Sequence, residues 1–353
     1  MDNARPDLPA TDVIETEEQL DAILTQPDGG VLESIRKLES PLVIVGAGGK
    51  MGPTLAVLAK RAAEAIGKEL RVIAASRFRN QAARDWLESR QVETLAADLL
   101  CRNDVDQLPD TSNLLYLVGM KFGTSVDPVP TWVTNTIAPL HVSQRYRNCK
   151  IVALSTGNVY PNVNLATGGC REDHCLTPLG EYANAAIARE RLFQYYAQPD
   201  TQANPTVLLR LNYAHDLRYG VLTDIATKVW RGESVGLDVG YFNAIWQGDA
   251  NALCLKAFEC CKSPALAINL TSPAIYSVRE VAEQFGKLLQ RTPRFAGNEQ
   301  TTALISNTEL MQEKLGSPTV SLETMMRWIS YWIQVGGRLL NKPTHFESQD
   351  GKY

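Results

Sequence analysis

The residues able to do chemistry fall in a few short strings. Gly46-Ala47-Gly48-Gly49-Lys50-Met51-Gly52 lies between an apolar run, Leu42 to Val45, and a stretch with apolar residues at helical spacing, Thr54 to Ala65. Between a strand and a helix, such a loop suits a dinucleotide. Glycine permits a sharp turn, lets a pyrophosphate approach the backbone and lets the helix pack close to the sheet, while free N–H groups at the helix start hold the anion. Gly46, Gly48, Gly49, Lys50, Met51 and Gly52 are therefore expected to bind the cofactor. The next strand ends Ala74-Ala75-Ser76-Arg77-Phe78-Arg79, with no carboxylate to accept from a ribose 2′-OH. Ser76 can donate to a 2′-phosphate and Arg77 or Arg79 can pair with it, so NADP is expected in preference to NAD. Asp98-Leu99 is expected beside the adenine. Gly119-Met120-Lys121 follows the fourth strand, at the carboxyl edge of the sheet where ligands bind in such folds.

Other chemistries find less support. His141, His174, His215 and His345 are isolated from one another, and Ser155 is not in a GxSxG elbow, so a Ser/His hydrolase is not expected. Cys170-Arg171-Glu172-Asp173-His174-Cys175 offers three soft ligands, but a structural zinc wants a fourth and usually a CxxC knuckle. No metal is expected, and the seven scattered cysteines read as reduced thiols.

The elements that must position these residues alternate. Strands are expected at Leu42 to Val45, Arg71 to Ala75, Val92 to Ala97, Leu114 to Val118, Ile151 to Leu154 and Thr206 to Leu211, with helices between them, notably Thr131 to Tyr146 and Glu181 to Ala197. Continuous apolar strands are buried on both faces, which points to an α/β fold with a Rossmann-like, doubly wound parallel sheet. Residues 1–40 read as a helical extension broken at Pro27-Asp28-Gly29-Gly30, 41–213 as the dinucleotide-binding domain, 214–340 as a smaller mixed α/β substrate lobe, some segments of which can return to the main domain, and 341–353 as a tail. The 353 residues carry 35 Lys+Arg against 39 Asp+Glu without long single-sign runs, which argues against nucleic acid as a partner. No apolar run approaches the roughly 20 residues that span a bilayer. The acidic, polar stretch from Met1 to Leu20 has no signal-like core, so a cytoplasmic location is the expectation.

In this order and spacing the chain resembles the extended short-chain dehydrogenase/reductases, the NAD-dependent epimerase/dehydratase group, over about residues 41–335. The matches are Gly46, Gly49 and Gly52; Asp98-Leu99; Asn135; Ser155-Thr156-Gly157-Asn158-Val159-Tyr160; Tyr182; Arg210-Leu211-Asn212-Tyr213; Trp246-Gln247-Gly248-Asp249; and Ser277-Val278-Arg279-Glu280-Val281. The resemblance implies that Thr156 polarises a substrate hydroxyl or carbonyl and that Tyr182 is the general acid/base. It also implies Gly119 and Asn135 at the cofactor, a homodimer through the helices at Thr131 to Tyr146 and Glu181 to Ala197, and a substrate pocket from the second lobe. Asn158, Asn212, Tyr213, Arg218, Tyr219, Trp246 and Gln247 are the candidates for that pocket, and their mix of amide, charge and aromatic suits a sugar or sugar acid.

One departure matters. A phenol titrates near 10, and the family lowers it with a lysine four residues after the tyrosine, where this chain has Ala186. Lys121 is the expected substitute, tuning Tyr182 or binding a substrate carboxylate, and Arg189 is a second cation on the same helix face. The resulting expectation is an oxidoreductase or epimerase acting by hydride transfer on a sugar-like secondary alcohol. Two alternatives stay open: a dinucleotide-binding sensor or scaffold that has lost turnover, and a dehydratase using Glu181 or Glu172.

Overall fold

The computed structural model describes residues 13–342 together with 344, 346 and 351. The readings placed on 1–12, on His345 and on most of the tail lie outside the described residues. Seven parallel strands form the main sheet: β1 Leu42–Val45, β2 Val72–Ser76, β3 Glu93–Ala96, β4 Asn113–Tyr116, β5 Lys150–Thr156, β6 Thr206–Leu211 and β7 Leu266–Leu270. Their order is β3-β2-β1-β4-β5-β6-β7, so the direction of winding reverses between β1 and β4. A crevice opens there outside the carboxyl ends of the strands.

The helices of eight residues or more are α1 Glu17–Leu24, α2 Gly29–Lys37, α3 Gly52–Ala65, α4 Gln81–Glu88, α5 Val129–Arg145, α6 Gly180–Tyr196, α7 Val221–Arg231, α8 Gln247–Lys256, α9 Val278–Leu289 and α10 Leu322–Gln334. Alternation along β1 decides the layers. Leu42 and Ile44 enter a core with residues of α2, α3 and α8, whereas Val43 and Val45 enter the opposite core with residues of α5 and α6. Both faces are thus covered, as a parallel sheet requires. A third core holds the lobe, built on α7, α9 and α10.

Three boundaries differ from the sequence-based expectation. The sheet does not end at β6, because Leu266–Leu270 returns from the lobe and pairs with Val207 through Leu211; a five-residue run that is apolar but for Asn269 cannot announce which sheet it joins. The N-terminal extension is broken between α1 and α2 as expected, but the break ends at Asp28 and Gly29 and Gly30 open α2, since the Asp28 side chain accepts from Val31 N at 2.7 Å and caps the helix. That extension also serves two bodies. Leu20, Ile23 and Leu24 of α1 are buried in the lobe core, while Val31 and Ile35 of α2 are buried against the sheet. Among the described residues no helix is long and apolar enough to cross a membrane.

Candidate active site

The glycine loop leaves β1 and turns at Gly46, whose φ of +81° belongs to the left-handed region; a Cβ there would also come within 2.7 Å of the Val118 side chain. At Gly52, in the first turn of α3, a Cβ would collide with the Ala47 backbone. The loop is thereby pressed between β4 and its own helix, and α3 starts with no side-chain cap, leaving its first N–H groups to whatever binds in the crevice. A cavity of about 840 Å³ opens beside it, lined by Gly46, Gly48, Gly49, Ser76, Arg77, Asp98, Leu99 and Gly119. The residues read from sequence as the adenine and ribose side are therefore brought together. Within that group Arg77 Nη1 lies 4.0 Å from Asp98 Oδ2, and Asp98 Oδ1 accepts from Leu100 N at 3.1 Å.

A second cavity, of about 270 Å³, continues on the other side of the loop toward the lobe. Lys50, Lys121, Tyr213, Tyr219, Leu211 and Thr344 are among its walls, as are Gly46, Gly49, Met51 and Gly52. Lys50 turns toward this side: its Nζ donates to Ala214 O at 2.9 Å and stands 4.2 Å over the Tyr219 ring. Burial pulls the Lys50 ammonium down to about 8, against the opposing pull of Asp216 and Asp224. Lys121, from the loop after β4, brings its Nζ to 5.9 Å from the Tyr182 ring centroid, and burial pulls it down to about 8 as well. Burial, then the nearby Asp224 and Tyr182, push the Tyr219 phenol up to about 12. His215 lies fully buried and is held well below its ordinary value by burial and by the Lys50 charge.

Thr156 ends β5, donating to Asn158 Oδ1 at 3.0 Å and accepting from Asn158 N at 3.2 Å. Its neighbour Ser155 donates to Glu190 Oε1 at 2.5 Å. Glu190, on α6 with Tyr182, also accepts from Arg210 Nε at 3.1 Å and Nη2 at 2.8 Å. Arg210 Nη1 donates to the Tyr160 hydroxyl at 2.6 Å. This buried network fixes α6, which carries Tyr182, against β5, which ends at Thr156, and against β6.

Ala186 is not a gap into which a lysine would fit. It is fully buried in a small apolar cluster with Val159, Tyr160 and Cys170. The other cation on α6 has a structural connection instead. Arg189 Nη1 donates to Asn135 Oδ1 at 2.7 Å and to Val118 O at 3.2 Å. The Asn135 amide in turn donates to Met120 O at 3.1 Å and Thr131 O at 2.8 Å. Asn135, read from sequence as a cofactor ligand, thus spends its amide holding the chain segment next to Lys121.

Of the other substrate candidates, Tyr213 lines the smaller cavity but Trp246, Gln247, Arg218, Asn212 and Asn158 do not. Trp246 is fully buried in the lobe, edge-on to Trp328 with centroids 5.3 Å apart. Gln247 is equally buried and donates to Thr54 Oγ1 at 3.1 Å, and Asp249 accepts from Thr319 N and Val320 N. Arg218 Nη2 pairs with Asp216 at 3.0 Å and its Nη1 lies 3.4 Å from both Glu17 and Asp21, so it clamps α1 to the lobe. Asn212 lies beside Gly157 but donates its amide to Leu304 O. Asn158 and Tyr213 share a neighbouring recess with Phe346 and Gly351 of the tail. The sequence leaves the role of this tail open, and nothing in its composition signals the contact made by Phe346 and Gly351. Cys170 is buried and Cys175 exposed, and among the described residues no group of three or more His, Cys, Asp or Glu is disposed to hold a metal ion.

No protein-family model matches this chain, and no curated protein matches it. Solved structures do. A UDP-glucose 4-epimerase from Thermotoga maritima, in complex with UDP-glucose, is 16% identical with a TM-score of 0.68, over 84% of this chain and 99% of the other. A UDP-glucuronic acid 4-epimerase from Bacillus cereus, in complex with UDP-glucuronic acid and NAD, is 17% identical with the same TM-score and coverage. These likenesses establish a common fold over most of the chain.

Proposed function

We propose that this chain, which has the fold of the extended short-chain dehydrogenase/reductases, is a nicotinamide-dinucleotide enzyme acting on a secondary alcohol of a sugar-like substrate, as an oxidoreductase or epimerase. The loop fits such a cofactor, because Gly46, Gly48 and Gly49 present bare backbone to the larger cavity. When bound, the nicotinamide would accept or return a hydride at the substrate carbon. Gly46 to Gly52 would hold the pyrophosphate, with Asp98 and Leu99 beside the adenine. Ser76 and Arg77 would receive a 2′-phosphate, since no carboxylate closes β2. The phosphorylated cofactor is therefore our reading, although the two solved neighbours above give no support for NADP and one of them was solved with NAD.

Tyr182 would move the proton of the reacting hydroxyl, with Thr156 polarising the same oxygen from the end of β5. Lys121 would supply the cation that Ala186 does not. The observation that carries this reading is the approach of Lys121 Nζ to 5.9 Å from the Tyr182 ring centroid, within the range at which an ammonium and an aromatic ring attract. The two neighbours were solved with UDP-sugars, so a sugar nucleotide is the substrate class to screen first. A homodimer through α5 and α6 accords with exposed Tyr195 on α6.

The test couples binding to turnover. Titration with NADPH and NADH, followed by nicotinamide fluorescence, should give at least tenfold tighter NADPH binding, about 1.4 kcal/mol. Tyr182→Phe and Lys121→Met should each lower turnover at least a hundredfold with dinucleotide affinity within threefold of wild type. Tight dinucleotide binding with turnover unaffected by Tyr182→Phe would refute the catalytic assignment. Binding without any turnover would favour the sensor or scaffold alternative, to which the sealed Ala186 position also points.

A further inference from the structure

We infer that Arg189 is a positioning residue: together with Asn135, Thr131 and Thr124 it ties the loop that bears Lys121 to the helix that bears Tyr182. The inference rests on the reading of Lys121 as the cation beside Tyr182, and it names what holds that cation there. Arg189 lies on α6 seven residues after Tyr182, two turns along the same helix face. It is 3% exposed. Its Nη1 donates to Val118 O at 3.2 Å and to Asn135 Oδ1 at 2.7 Å. Both acceptors are neutral, so these contacts fix a geometry without neutralising the charge.

The tie continues along α5 into the loop. Asn135 donates its amide to Met120 O at 3.1 Å and to Thr131 O at 2.8 Å. Thr124 Oγ1 donates to Lys121 O at 2.5 Å and lies 2.7 Å from Thr131 Oγ1. A hydroxyl carries one proton, which Thr124 has spent on Lys121 O, so Thr131 is the donor between the two threonines. Carbonyls at Val118, Met120 and Lys121 are thus captured by buried side chains of Arg189, Asn135 and Thr124. The rest of the loop cannot hold itself, because Phe122, Gly123, Ser125, Val126 and Asp127 are exposed and a segment with so little buried surface opens readily. Gly119 is part of the arrangement: a Cβ there would collide with Arg189 Nη1 and bar it from Val118 O. With its backbone pinned in this way, Lys121 reaches 5.9 Å from the Tyr182 ring centroid. Cutting the tie at either end lets the loop carry Lys121 away from Tyr182 and into water.

The experiment reads Lys121 itself. Competitive acetylation of the full-length protein from pH 6 to 11, with the Lys121 peptide quantified by mass spectrometry, gives the midpoint of its amine. Wild type should titrate near 8, where burial holds it. Arg189→Met and Thr124→Val should each raise that midpoint by at least about one unit toward the 10.5 of a solvated lysine. Arg189→Lys keeps a cationic donor for the same two acceptors and should stay within about half a unit of wild type. Turnover of UDP-glucose or UDP-glucuronate should fall at least tenfold in the two released variants and return in Arg189→Lys. Thr124→Val leaves α6 untouched, so it decides the matter even where an Arg189 variant fails to fold. A wild-type midpoint already near 10.5 overturns the inference, and so do wild-type midpoints in both Arg189→Met and Thr124→Val. Equal shifts in Arg189→Met and Arg189→Lys also overturn it, because the donor is then not what holds the loop. Raised midpoints with turnover unchanged leave the tie standing and remove the catalytic role of Lys121 instead.

Discussion

Replacing Glu190 by Gln should destabilise the chain out of proportion to a one-atom change. Glu190 is fully buried and Arg210 nearly so, with side-chain exposures of 0% and 4%. The carboxylate takes both guanidinium N–H groups and the Ser155 hydroxyl. An amide keeps the shape but offers one acceptor oxygen and no charge, leaving the Arg210 cation in the interior against Tyr160 and the Glu172 carbonyl. Removing one member of a buried ion pair costs about 3–5 kcal/mol, a large share of the roughly 5–15 kcal/mol that hold a typical domain folded. At about 2 °C per kcal/mol for a chain of this class, the midpoint should fall by roughly 6–10 °C. Calorimetry and urea midpoints measure this directly. A control distinguishes charge from packing: Glu190→Met combined with Arg210→Met removes both charges and should recover most of the loss. Because Glu190 and Tyr182 share α6, the single variant should also misplace Tyr182 relative to Thr156 and lower turnover. A Glu190→Gln protein melting within 1 °C of wild type, or a double variant less stable than the single, would refute the reasoning.

Three further outcomes follow from the same geometry. Ala186→Lys, which rebuilds the familiar Tyr-x-x-x-Lys spacing, should not raise activity and should cost about 1–3 kcal/mol in urea unfolding, because the new side chain enters a packed cluster of Val159, Tyr160 and Cys170. Arg218→Ala should loosen α1 from the lobe, seen as faster limited proteolysis near Glu17 and Asp21, since Arg218 contacts both. Lys50, which faces Tyr219, Asp216, Arg218, Asp224 and His215, and Lys121, which faces Tyr182, both titrate near 8 when folded instead of at their ordinary 10.5. Between those values the unfolded chain binds more protons than the folded one, so their burial is a full cost below about pH 8 and fades as pH rises toward 10.5. The stability advantage of Lys50→Met over wild type should shrink across that window. Urea midpoints of the two proteins from pH 7 to 10 measure this, and a difference that stays constant would contradict it.

Much of the fold was legible because its signals are local. β1 is four apolar residues followed by glycines, and a strand that apolar with a Gly-rich exit has few structural options. α9 begins at Val278, where the Ser277 side chain accepts from Glu280 N and caps the helix. The glycine loop, the Ser76-Arg77 end of β2 and Asp98-Leu99 lie around one cavity for the same reason, since the ends of neighbouring parallel strands have to meet at one edge of the sheet.

What the sequence could not determine depends on which distant surfaces meet. Trp246 and Gln247 carry side chains suited to a sugar, yet both are core, because the lobe needed a large apolar filler and Thr54 needed a partner. Arg218 looks like an anion ligand until Glu17 and Asp21 arrive from some two hundred residues away. Asn135 looks like a cofactor contact until Arg189 claims its oxygen. The absence of a lysine at position 186 was visible in the string, but that position 186 is sealed was not. Residue type and spacing determined β1, the glycine turn after it and the start of α3, because these follow from backbone geometry within a few residues. Only the tertiary structure decided that Lys50 turns toward the lobe and that Lys121 comes over Tyr182, because a long flexible side chain takes its direction from the charges and cavities that folding brings beside it.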